Sequence, residues 1–175
     1  MLRALYVGRF QPFHLGHLGA IEYMLSKASE LIIVVGSAQY SHTRDAPFTA
    51  GERVTMIRLA LNEVGIDPSR YYINPVPDLN IHDIWVSHVV SFVPKFEEVY
   101  NNEPLTGRLF LEDGRFQVKP IPLQNRQVYS ATEIRKRVLD GENWEELVPK
   151  SVAKFIKEID GEERLKDLVK TDKVA

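Results

Sequence analysis

Arg9, His14, His17 and Arg135 are the side chains whose types and spacing could do chemistry in this chain. The two histidines stand three apart in Gly8-Arg9-Phe10-Gln-Pro-Phe-His14-Leu-Gly16-His17, directly after an apolar run over residues 2–7. A strand that ends at a glycine and passes through a proline turn into a helix start aims backbone N–H groups and a positive helix end at an anion, most often a phosphate. A plain phosphate cradle needs no histidine, so the imidazole pair points to chemistry at the phosphate as well as binding. The segment has neither the Gly-Lys-Ser/Thr ending of a P-loop nor a G-x-G-x-x-G dinucleotide fingerprint. A structural explanation also exists, in which two polar rings are satisfied by backbone at a helix start. The neighbouring arginine, glycine turn and strand end favour function over it. Zinc is a weak reading, because His-x-x-His needs further ligands and no H-E-x-x-H is present.

A second constellation is Tyr129-Ser130-Ala131-Thr132-Glu133-Ile134-Arg135. Ser130 and Glu133 have capping-box spacing, which alone explains a helix start. The hydroxyls of Ser130 and Thr132 and the free N–H groups there also suit a phosphate tail. A guanidinium beside a helix N-terminus is electrostatically misplaced unless an anion joins it, which gives Arg135 a functional reading.

Two loops complete the set. Gly36-Ser37-Ala-Gln-Tyr-Ser-His42 follows the second apolar run and would form a wall of a ligand site, with Gly36 permitting close backbone approach. Arg44, just beyond, reads as a solvated loop arginine. In Pro77-Asp78-Leu-Asn80-Ile-His-Asp-Ile-Trp85, pattern alone favours Trp85 as core and Asp78 or Asn80 as a helix cap. The functional alternative is an indole stacking on a flat ring beside a carboxylate that accepts from an amide.

These residues need elements to hold them. Apolar β-rich runs fall at residues 2–7, 31–35 and 71–76, with a weaker one at 99–100. Between them lie helical spacings: Ile21, Met24, Leu25, Ala28; then Met56, Ile57, Leu59, Ala60, Leu61, Val64; then Ile84, Val86, Val89, Val90, Val93. Near-continuous apolar strands alternating with helices predict an α/β fold, a Rossmann-like doubly wound parallel sheet covered on both faces. In such sheets ligands sit outside the carboxyl ends of strands at a topological switch. Thr49 and Glu52 predict another capped helix start, and Asp140-Gly141 a helix stop. After Pro149 the tail reads as a C-terminal helical extension, with residues 171–175 frayed. We expect a single domain over 1–175, with an α/β core to about 128 and a phosphate-binding helix and C-terminal helices beyond.

Composition narrows the partners. The 175 residues carry a net charge of −2 and no cysteine, and a pI near 6.2. Disulfides, thiolate metal sites and cysteine nucleophiles are therefore excluded. No general electrostatic footprint for nucleic acid or an anionic membrane exists, so any anion site is local. No apolar stretch approaches a membrane span and no signal peptide is evident. The expected location is the cytoplasm.

Taken together, Gly8-Arg-Phe-Gln-Pro-Phe-His14-Leu-Gly-His17 resembles the G-x-F-x-P-x-H-x-G-H segment of the HxGH nucleotidylyltransferases, and Ser130-Ala-Thr-Glu-Ile-Arg135 resembles their I-S-S-T-x-x-R motif. With Gly36-Ser-Ala-Gln-Tyr-Ser-His42, Ala46-Pro-Phe-Thr-Ala-Gly-Glu-Arg53 and Leu147-Val-Pro-Lys150, the resemblance narrows to the archaeal-type nicotinamide-nucleotide adenylyltransferases and runs from Arg3 to about Thr171. It implies transfer of AMP from ATP to nicotinamide mononucleotide (NMN), giving NAD and pyrophosphate. It further implies that His14 and His17 contact the triphosphate, that Arg9 and Arg135 grip phosphates, and that Gly8, Phe10, Gly16, Tyr129, Ser130 and Thr132 belong to the ATP side. Gly36, Ser37, Asp78 and Trp85 would face NMN, the indole stacking on nicotinamide. Mg²⁺ or a similar divalent ion, carried mainly on ATP phosphates, and a homo-oligomer, commonly a hexamer, are implied as well. Glu103, where relatives usually carry asparagine, and Ala131, where they often carry glycine, depart from the pattern. Two other functions stay open at this level: a transferase of the same chemistry with another acceptor (phosphopantetheine, FMN or glycerol phosphate), and a non-catalytic nucleotide sensor.

Overall fold

The computed structural model describes residues 1–122 and 129–170, so the expected fraying at 171–175 lies outside the described residues. These residues divide into two compact units. One comprises Met1–Arg9, Gly19–Gln39 and residues 66–122; the other comprises Phe10–Leu18, Tyr40–Gly65 and residues 129–170. The first unit holds the sheet: β1 (Arg3–Gly8), β2 (Glu30–Val35), β3 (Tyr71–Pro75), β4 (Glu98–Tyr100) and β5 (Gln117–Lys119). All neighbours pair in parallel, in the order β3-β2-β1-β4-β5. The order reverses between β1 and β4, so the topological switch lies beside Gly8, at the carboxyl end of β1.

The β2 run Leu31–Val35 is buried at every residue, as a strand covered on both faces must be. On one face Leu5, Ile32, Val34 and Val99 form a core with Val86, Val89, Phe96 and Phe110. Of these last four, Val86 and Val89 come from α3 (Trp85–Ser91), Phe110 from α4 (Pro104–Asp113) and Phe96 from the turn before β4. Both α4 and β5 escape the periodicity argument. Their punctuation was nevertheless present: Glu103 caps α4 through the N–H groups of Leu105 and Thr106, Pro104 takes the first helical position, and Gly114 ends it at φ 73°. β5 is three residues long and largely exposed or half-buried, too short to announce itself.

The second unit is helical. α2 (Ala50–Glu63) opens on a complete capping box between Thr49 and Glu52, as expected. α5 (Ala131–Asp140) starts at Ser130, whose Oγ accepts from the Glu133 N–H at 3.1 Å. Here only half of the expected box forms, because the Glu133 carboxylate accepts instead from Arg137 Nε at 2.9 Å. Gly141, at φ 71°, stops α5 where the sequence placed the stop. The tail forms α6 (Lys150–Glu158), which packs on α2, and α7 (Gly161–Val169), which packs on α5 and α6. Arg164 locks α7 to the α2 start with a two-pronged bond to Glu52 at 2.7 and 2.8 Å. The unit boundary falls within α1 (Leu15–Lys27). No described helix is long and apolar enough to cross a membrane.

Candidate active site

The start of α1 is built by the histidines themselves. The carbonyl of His14 accepts from the N–H groups of His17 and Leu18 at 2.9 and 3.1 Å, which makes His14 the helix cap. The His17 N–H also reaches Nδ1 of His14 at 3.3 Å, and the His14 N–H reaches Nδ1 of His17 at 3.3 Å. This is the reciprocal logic of a capping box, with imidazoles in place of hydroxyl and carboxylate. The three-residue spacing follows from it. Both Nδ1 atoms accept, so each neutral ring carries its proton on Nε2 and turns that N–H away from the helix. The rings stack with centroids 3.5 Å apart. Phe10 and Phe13 flank His17, at 4.8 and 5.5 Å between centroids, and both phenylalanines are buried.

Gly16 lies between the histidines with little room for a side chain. A Cβ there would stand 3.0 Å from Tyr129 Cβ and 3.1 Å from both Cε1 and Nδ1 of His14. The same contact seats the α5 start against the α1 start. Arg135 adds a second tie, donating to the Gln11 carbonyl at 2.8 Å and standing 3.4 Å from Asp45. The Gln11 amide, buried, pairs with both the N–H and the carbonyl of Phe48 at 2.9 Å. His14, Gly16, His17, Tyr129, Ser130 and Arg135 are thus one assembly, with Thr132 exposed in the first turn of α5. Gln11 escaped sequence reasoning, since its partner is 37 residues away.

Electrostatically the pair is neutral. Burial pushes His14 down to about 4, and burial together with the His14 charge pushes His17 well below its ordinary value. Below the unfolded-state value near 6.5, the unfolded chain therefore binds protons that the folded chain refuses. Stability from this source is complete above pH 6.5 and is lost as pH falls toward 4. His14 alone should cost about 2 kcal/mol between pH 7.5 and pH 5. Urea unfolding at the two pH values measures the loss, which should shrink in His14→Asn; equal losses in the two proteins would contradict it.

In the first unit a second group of residues gathers at the carboxyl edge of the sheet. Gly8 and Arg9 leave β1, and the Gly36 N–H donates to the Gly8 carbonyl at 2.9 Å. A Cβ on Gly36 would meet protein atoms only at 3.7 Å, so the chain itself does not demand glycine there. Ser37, at φ 49°, donates from Oγ to Asp78 Oδ2 at 2.5 Å. Gln39 accepts from the Asp78 N–H at 2.9 Å. The expectation that Asp78 or Asn80 caps a helix fails: the short turn at His82–Ile84 and α3 have no side-chain cap, and Asp78 is turned to Ser37 instead. Trp85 opens α3 half-buried, edge-on to Phe110 at 5.8 Å between centroids. Arg44 is exposed. Burial raises the Glu103 carboxyl, but the N–H groups of Thr106 and Leu105 and the charge of Arg9 outweigh it and hold it below the ordinary range.

A five-stranded parallel sheet whose order switches at β1 is a Rossmann-like α/β architecture, the kind in which ligands bind outside the carboxyl ends of the strands. Residues 5–137 match the family model described as cytidylyltransferase-like. The chain is 53% identical over 173 residues to the nicotinamide-nucleotide adenylyltransferase of Saccharolobus solfataricus, covering 99% of this chain and 100% of that one. It is 51% identical over 168 residues to the enzyme of the same name from Pyrococcus horikoshii, covering 96% and 89%. With identity at this level over nearly the full length, the chain belongs to the nicotinamide-nucleotide adenylyltransferase family. A solved bifunctional NMN adenylyltransferase/ADP ribose pyrophosphatase from Francisella tularensis shares the fold, with TM-score 0.79 at 23% identity over 96% of this chain. A second structure of that bifunctional protein, complexed with AMP and a Mn ion, has TM-score 0.76 at 25% identity over 96% of this chain. This chain spans about half, 52%, of either solved chain.

Proposed function

We propose that this protein moves the adenylyl group of ATP onto the phosphate of nicotinamide mononucleotide, forming NAD and pyrophosphate. An oxygen of the mononucleotide phosphate attacks the α-phosphorus. The bond from that phosphorus to the oxygen bridging toward the β-phosphorus breaks, and pyrophosphate leaves with the electron pair. The acceptor is already a nucleophile, so no side chain needs to attack. The protein's task is to hold two anions in line, worth about 7–11 kcal/mol, and to meet growing charge with donors already in place.

The observation that carries the reading is the interlocked histidine pair. Its reciprocal Nδ1 bonds at 3.3 Å hold two Nε2–H donors in fixed directions. His17 acts on the α-phosphate in the transition state and His14 on the triphosphate. Phe10 backs His17, while Gly8 and Arg9 bring the chain to the phosphates. Ser130, Thr132 and Arg135 hold the triphosphate tail at the α5 start, with Tyr129 keeping that start against Gly16. Gly36, Ser37, Asp78 and Trp85 take the nicotinamide end of the acceptor. Among the described residues no three His, Cys, Asp or Glu are grouped to hold a metal ion. A divalent ion, Mg²⁺ in our reading, would be carried on the phosphate oxygens, whose charge it neutralises.

The test is an assay with ATP labelled on the α-phosphate, Mg²⁺ and a panel of acceptors: nicotinamide and nicotinic acid mononucleotides, FMN, phosphopantetheine and glycerol phosphate. Label should pass into NAD with one pyrophosphate released per NAD. Turnover only with a different acceptor would overturn the substrate assignment, and ATP binding without turnover on any acceptor would mark a sensor.

A further inference from the structure

Asp78 and Trp85 are separated by six residues that do little to fix the distance between them. Asn80, Ile81, His82, Asp83 and Ile84 are all exposed, and the short turn at His82–Ile84 has no side-chain cap. Yet each end is firmly held. The Asp78 carboxylate accepts from Ser37 Oγ at 2.5 Å, and its N–H donates to Gln39 at 2.9 Å. The indole rests edge-on against Phe110.

The link between the two ends is His88. It lies one turn after Trp85 on the same helix and is half-buried, and its Nε2 donates to the Pro77 carbonyl at 2.7 Å. That carbonyl belongs to the peptide whose N–H is Asp78's own. Phe92 meets the ring edge-on at 4.9 Å between centroids and fixes its orientation. A carbonyl oxygen can only accept, so Nε2 is the donor in this bond.

We propose that His88 is a positioning residue for the acceptor: its bond to Pro77 sets the Asp78 carboxylate at the spacing from the Trp85 ring that the nicotinamide group requires. This rests on the reading that Asp78 and Trp85 receive that group. Gln39 secures the same peptide from the β2 side, so losing His88 releases Asp78 toward α3 without unfolding the loop. Placement of a ligand group by a single hydrogen bond predicts about a tenfold effect on its binding.

The experiment measures kcat, KM for NMN, KM for ATP and thermal midpoint in His88→Phe, His88→Gln and Trp85→Ala. Phenylalanine keeps the ring and loses the donor; glutamine keeps a donor near the Nε2 position. His88→Phe should raise KM for NMN about tenfold with KM for ATP moved less than twofold, and His88→Gln should restore KM for NMN to within about threefold of the parent. An unchanged KM for NMN in His88→Phe, a parallel rise in both KM values, or no rescue by glutamine overturns the proposal. Trp85→Ala separates the two levels. A raised KM for NMN there with a silent His88→Phe sinks only the positioning role, whereas a silent Trp85→Ala sinks the acceptor assignment and the proposal with it.

Discussion

Replacing His17 by alanine should lower kcat by about a hundredfold or more while KM for ATP moves by less than tenfold. The side chain lost is a donor held in place before the reaction, and one such donor aimed at developing charge is worth roughly 10²–10³ in kcat. Ground-state ATP binding keeps His14, the α1 and α5 starts, and the arginines. Alanine also removes the acceptor for the His14 N–H, bonded at 3.3 Å, so part of the effect could be a loosened helix start. His17→Glu separates the two causes. A carboxylate at this third helical position completes an ordinary capping box and suits the positive helix end, so the thermal midpoint should hold or rise above that of His17→Ala. It also sets a negative charge against the phosphates, so activity should fall below that of His17→Ala. A kcat within threefold of the parent in His17→Ala, or recovery of activity in His17→Glu, would remove His17 from the chemistry.

Gly16→Ala should cost about tenfold in kcat/KM although every side chain proposed to face phosphate remains. The added methyl meets Tyr129 Cβ at 3.0 Å and the His14 ring at 3.1 Å, tighter than ordinary contact, so a neighbour must give by a few tenths of an ångström. If the ring yields, the histidine stack loses its geometry. If Tyr129 yields, Ser130 and the α5 start shift with it. A misplacement of about 1 Å at a reacting site costs on the order of 10²-fold, so a shift of a few tenths of an ångström predicts about tenfold. Glycine-to-alanine inside a helix is otherwise favourable by about 1 kcal/mol, so a lowered thermal midpoint together with lost activity would show strain rather than propensity. Activity within threefold of the parent would mean the two helix starts can move independently.

How much of this was legible in the residues depends on how local the cause is. The apolar runs of β1, β2 and β4 follow from burial, which leaves a direct mark on composition, whereas β3, an edge strand with no fully buried residue, shows only through its β-favouring residue types. Thr49 with Glu52, Ser130, and Gly141 marked helix ends because a cap acts within three residues of itself. The histidine spacing suggests an anion site, but the interlock of the two rings needs their orientation, and the neutral state needs their burial. Asp78 was misread as a cap because its real partners, Ser37 and Gln39, stand 41 and 39 residues away. Gln11, Gln39 and His88 each hold a backbone group of a distant loop, and no spacing rule reveals such a bond. The position of Arg135 at a helix start suggests a phosphate ligand, but no spacing rule reveals its 2.8 Å bond to the Gln11 carbonyl, 124 residues away.

The central claim is that the acceptor phosphate displaces pyrophosphate directly, with the chain supplying position and fixed donors and no covalent partner. The stereochemistry at the α-phosphorus tests it most directly, using ATP made chiral there by sulfur substitution and NMN as acceptor. A single in-line displacement predicts that the NAD analogue carries inverted configuration at that phosphorus. Retention, the mark of two displacements through an adenylyl-enzyme, would contradict the account.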